Sequence, residues 1–148
     1  MKKLICFACT LLLILAACKN TEKKNSLAGS YLTVSYKYYS HDTLKWSFPE
    51  METGSEMKIW SDKNFVFSGT YRKDTTTRDN YGGGTYTLDG DHYTENIQLH
   101  SDKSYIGTSI KMLIKINGDT LTQTWPVDEN WNISKESHLE QKLVRADK

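Results

Sequence analysis

The 148-residue chain has three cysteines, at positions 6, 9 and 18, and none beyond. A body without cysteine can carry neither a disulfide framework nor a thiolate metal site. Net charge is equally small. Nineteen basic residues face 18 acidic ones, for a net charge of +1. A chain this balanced, with no basic stripe, is not expected to partner nucleic acid. After residue 17 no apolar run approaches the roughly 20 residues a membrane-spanning helix needs. No Gly-x-Ser-x-Gly elbow is present. Gly82-Gly83-Gly84 lacks the following Gly-Lys-Ser/Thr of a phosphate loop and runs into a strand rather than a helix, so it is expected to mark a bend or bulge. The four histidines, at 41, 92, 100 and 138, have no metal-ligand spacing, and alternation puts His92 and His100 on the outward face of their strand. Asp89 and Asp91 sit in a turn, where aspartate serves the backbone. The expectation is a protein that is not an enzyme and uses no metal or cofactor.

The cysteines that exist are placed informatively. Met1 to Ala17 opens with Lys2-Lys3, continues through an apolar stretch and closes on Leu15-Ala16-Ala17 before Cys18. A basic start, a short apolar centre and small residues before a cut site describe a secretory signal. Cys directly after Leu-Ala-Ala resembles the bacterial lipoprotein signal, the lipobox. That resemblance implies cleavage before Cys18 and diacylation of Cys18, with palmitate as the expected chain. The expected location is therefore the bacterial cell envelope, with the protein lipid-anchored in the outer membrane. Losing residues 1–17 leaves 17 basic residues against 18 acidic ones. Residues 18–26, from Cys18 through the polar Lys19 to Ser26, read as a lipidated flexible tether. Residues 27–148 suffice for one domain with one core.

That domain reads as strands throughout. In Gly82 to Glu95, Tyr86 and Leu88 alternate with Thr85 and Thr87. Beyond Asp89-Gly90, Tyr93, Glu95, Ile97 and Leu99 alternate with His92, Thr94, Asn96 and Gln98. Period two over runs this long means one buried face and one wet face. Asp-Gly between such runs is the strongest local hairpin signal and predicts a type I′ turn at Asp89-Gly90. Asn117-Gly118 predicts the same between 108–116 and 120–125. Strands are also expected over 29–39, 56–60, 65–72 and 138–145. Residues 40–55, 73–80, 101–107 and 126–135 show no period and are expected to be loops, the first unusually long. About eight strands joined by short turns, with no helix, predict an antiparallel up-and-down β-barrel, since closure removes the exposed edges of an open sheet.

Tyr81 to Gln123, with its GTYTLDGD hairpin, an Ile106-Gly107 loop and an INGDTL turn in that order, resembles the bacterial lipocalin-like domains of unknown function. Upstream, KIWSDKNFVF is similar to the hairpin those domains write as IFSDGHF. The resemblance covers most of residues 27–148 and implies a lipocalin-like barrel. Its motifs are turns and strand patterns, so they speak to fold more than to chemistry. Gly29-Ser30-Tyr31 stands where lipocalins often carry Gly-x-Trp, and Leu143 where these domains often show Trp. Arg145 stands near the last-strand arginine that closes over the ring, so Arg145 is expected to stack on Tyr31.

An eight-stranded barrel is just wide enough to be filled by side chains or to hold one small ligand. The face expected to point inward is mostly apolar, with Glu95, Gln123 and Gln141 as exceptions. Buried polar groups need partners. Convergent polar groups in an apolar pocket are how small-molecule sites look. The candidate ligand-binding set is Tyr36, Phe67, Tyr71, Tyr86, Tyr93, Glu95, Met112, Gln123, Trp125 and Gln141. The alternative is a filled barrel in which Glu95 and the glutamines bond to tyrosines. Trp46 and Phe48, in the long irregular segment, are candidates for a lid or a plug, with a partner surface as a third use. The expected function is non-catalytic binding of a small, largely apolar molecule. The alternative is a structural or interaction module of the outer membrane.

Overall fold

The computed structural model describes residues 27–147. The signal, the lipidation cysteine and the tether read above lie outside them. Nine strands follow one another: β1 (Gly29–Ser40), β2 (Thr43–Phe48), β3 (Thr53–Trp60), β4 (Asn64–Lys73), β5 (Thr76–Asp89), β6 (His92–His100), β7 (Ser109–Asn117), β8 (Thr120–Trp125) and β9 (Ser137–Arg145). Among the described residues the helical content is one 3₁₀ turn, Lys103–Tyr105. Every pairing is antiparallel. β3 to β9 form a meander, and β1 closes it by pairing with β9 along its length and with β3 through Gly29–Leu32. The result is a closed eight-stranded barrel. β2 is an extra strand, lying beside the second half of β1 from Tyr36 to Ser40.

Two stretches without visible period are strands. In 40–55, β2 is held by β1 across a turn at His41-Asp42, where both residues take positive φ, 49° and 55°. It stops before Pro49, which has no N–H to continue a ladder. In 73–80 the hairpin of β4 and β5 runs on to a turn at Asp74-Thr75, with Asp74 at φ 52°. Thr76 to Asp79 are exposed, so no burial alternation marks the strand in the sequence.

Both glycine turns sit one residue later than expected. Asp89 pairs with His92 and Asn117 with Thr120, leaving Gly90-Asp91 and Gly118-Asp119 as the turns. Only the glycines have positive φ, 63° and 59°. That is the place glycine holds in a type II′ turn.

The triple glycine marks a bulge, as expected, with the extra residue on the facing strand. Gly83 pairs with Leu99 and Gly84 with Ile97, so Gln98 is unopposed on β6. The extra residue reverses the faces beyond it. Leu99, expected inside, is exposed, and His100, expected outside, points in and meets Phe67 edge-on at 5.7 Å. A Cβ on Gly84 would overlap the Asn96 carbonyl oxygen of the facing strand. Gly84→Ala should therefore lower stability by about 1–3 kcal/mol, the range for forced overpacking. A urea midpoint equal to the parent's would mean that the strands separate freely here.

The core fills one end of the barrel. Leu27, Tyr31, Trp60, Phe65, Tyr86, Tyr93, Leu121 and Leu143 are all buried there. Trp60 meets Tyr31 edge-on at 5.2 Å and donates its indole N–H to the Tyr93 hydroxyl at 2.8 Å. The stacking expected of Arg145 is present. Its guanidinium lies 4.7 Å from the Tyr31 ring centre, donates to the Tyr31 hydroxyl, and reaches the Ala28 carbonyl at 3.0 Å. Fully buried Leu143 completes this plug.

Candidate functional site

The other end of the barrel is a cup of about 530 Å³. Its most unexpected contributor is β3, which turns Glu56, Lys58 and Trp60 inward and leaves Met57 and Ile59 exposed. Register decides this. The short connection after Trp60 pairs Trp60 with Phe65 and Lys58 with Phe67. Directly opposed residues share a face, so the phenylalanines take the charged residues inside with them.

At the floor, Lys58 Nζ donates to Glu95 Oε1 at 2.5 Å and to Gln123 Oε1 at 3.3 Å. Both side chains of the ion pair are buried. The ammonium also sits 5.1 Å from the ring centres of Trp60 and Phe65 and 5.6 Å from that of Phe67, a shell of aromatic faces that suits a cation. Tyr93 donates to the same Glu95 oxygen at 2.9 Å. An indole, a phenol, a carboxylate and an ammonium thus form one continuous network.

Higher on the wall, Glu56 is buried and has no cation beside it among the described residues. Its Oε1 accepts from Tyr36 at 2.9 Å, Gln141 at 2.8 Å and Thr33 at 3.2 Å, and its Oε2 accepts from Asn80 at 2.6 Å. Four neutral donors fill the carboxylate's capacity. The Tyr71 hydroxyl is buried beside this carboxylate as well, close enough to feel its charge though outside the geometry of the four bonds above. Burial pushes the phenols of Tyr36, Tyr71 and Tyr93 up, and the nearby carboxylates push them further, Glu56 for the first two and Glu95 for the third.

Aromatic rings line the walls towards the mouth. Tyr36 is their hub, with Trp46, Tyr71 and Trp125 around it at centre-to-centre distances of 6.2–6.3 Å. Arg78 crosses the Tyr71 ring at 4.6 Å and forks onto Glu52 at 3.2 and 3.0 Å.

Of the residues expected to bind a ligand, Tyr36, Phe67, Tyr71, Glu95, Met112, Trp125 and Gln141 line the cup. Tyr86 and Tyr93 lie below the floor in the packed end, their hydroxyls bonded to the Ser61 carbonyl and to Glu95. Gln123 is buried beneath the floor, holding Lys58 and reaching the Met112 sulfur at 3.6 Å. Trp46 is neither lid nor plug but part of the wall, carried on β2. Phe48 is also no lid. It packs behind the wall, edge-on to Tyr71 at 5.3 Å. Sequence reasoning missed Glu56, Lys58, Asn80 and Arg78. The signal that could have found the first two is the register imposed by the Ser61–Lys63 turn.

Among the described residues no group of His, Cys, Asp and Glu is arranged to hold a metal ion. No family model matches this chain, and no curated protein is significantly similar to it.

Proposed function

We propose that this chain is a lipid-anchored binding protein of the bacterial envelope that holds a small, largely apolar molecule in the cup without transforming it. The supporting observation is the cup itself, about 530 Å³ with aromatic and aliphatic walls and polar groups converging on it. Small-molecule sites span roughly 300–1,000 Å³, and half of this cup's lining residues are polar or charged. A barrel filled along its whole length, as an interaction module would have, leaves no such space. Phe67, Ile97, Ile110, Met112 and Leu139 supply apolar surface. The anchor rests on the Leu-Ala-Ala-Cys18 sequence, and the binding role on the likeness to lipocalin-like barrels together with the cup.

The test is native mass spectrometry of the protein exposed to envelope lipid extract. The expected result is a stoichiometric adduct that disappears in Ile110→Trp, which projects bulk into the cup. An unchanged apo mass, with no thermal shift from the extract, would favour the interaction module instead.

A further inference from the structure

The charges around the cup do not cancel. Lys58 is neutralised by Glu95 at the floor, and Arg78 by Glu52 at the mouth. Glu56 is left over, buried and surrounded only by neutral donors. Asp79 and Asp102, also on the lining, add two further negative charges nearer the mouth. A buried carboxylate with no counter-charge is costly, and a cation brought into its field offsets that cost. The neighbouring walls are the kind a cation prefers. Tyr36, Trp46, Tyr71 and Trp125 form a ring cluster, and aromatic faces carry the negative end of their quadrupole.

We propose that the cup selects an organic amine in its protonated form, with the ammonium held among these rings in the field of Glu56 and the apolar body along Phe67, Ile97 and Met112. This rests on the small-molecule reading above and names its ligand class. Anions are disfavoured by the same uncompensated charge.

Isothermal titration of the purified full-length protein with 4-phenylbutylamine, 4-phenylbutanol and 4-phenylbutyrate tests it, because the three probes share a skeleton and differ in charge. The amine is expected to bind about tenfold more tightly than the alcohol, and the carboxylate more weakly than either. Glu56→Gln should remove most of the amine's advantage over the alcohol, with circular dichroism reporting that the variant is folded. Should Glu56→Gln fail to fold, Asp79→Asn, at the exposed mouth, is expected to lower amine affinity by a smaller factor. Equal or tighter binding of the alcohol, or an amine preference that survives Glu56→Gln, would overturn the proposal while leaving a small-molecule site in place. Failure of all three probes to bind at millimolar concentration would remove both readings.

Discussion

Lys58→Met should lower stability by about 3–5 kcal/mol, and Glu95→Leu by a similar amount, whereas the two together should return close to the parent. The reason lies in what each single change leaves behind. The pair is buried at 2.5 Å, so removing the ammonium strands a carboxylate under the cup, and removing the carboxylate strands an ammonium among rings. Taking both away leaves a floor of apolar side chains and no orphaned charge. It also leaves Gln123 and Tyr93 each short of one bond, so the double variant is expected to match the parent rather than exceed it. Urea unfolding of the four proteins gives the coupling directly. Single variants costing less than about 1 kcal/mol would mean that the pair behaves like a surface ion pair reached by water.

Alkaline solution should destabilise the barrel steeply. Tyr36, Tyr71 and Tyr93 have folded pKa values raised above the ordinary value near 10, by burial first and by Glu56 or Glu95 next. The unfolded chain releases these protons as the pH passes about 10, and the folded chain keeps them. The unfolded state then binds fewer protons, so stability falls with rising pH. The contribution is complete below pH 10 and is lost above it, at about 1.4 kcal/mol per tyrosine per pH unit. Urea midpoints from pH 9 to 11 give the slope. Lysines titrate in the same window, so the informative comparison is with phenylalanine variants, each expected to remove about one tyrosine's share. A slope indifferent to all three replacements would mean that the phenols ionise freely in the folded state.

Much of the barrel can be read from the sequence because its strands have one wet face. Tyr86, Tyr93 and Ile97 announce themselves by alternation, and the glycine turns cut the chain into hairpins. What escaped did so for two physical reasons. Where both faces are exposed, as in Thr76 to Asp79, nothing alternates. Where the inner face is polar, as in β3, alternation gives the wrong answer: Met57 and Ile59 look like core and are exposed, while Glu56 and Lys58 look like surface and are buried. A single bulged residue, Gln98, was enough to exchange Leu99 and His100 between faces. Half of the site's polar chemistry therefore came from register, while Glu95, Gln123 and Gln141 were visible as polar residues on an otherwise apolar face.

The plug has a consequence for how the molecule can be handled and held. Gly29 leaves the barrel beside Arg145, and the hydrogen bond from Arg145 to Ala28 ties the first and last strands together there. Both ends of the described chain thus emerge at the sealed pole, and the cup opens at the opposite one. Anything joined to either end, whether a fused domain, an immobilising surface or the proposed acyl chains, is kept away from the mouth by the length of the barrel. On the proposed reading of anchor and ligand, a barrel tethered in this way would turn its mouth outward and meet its ligand in the surrounding fluid rather than in the leaflet that holds it.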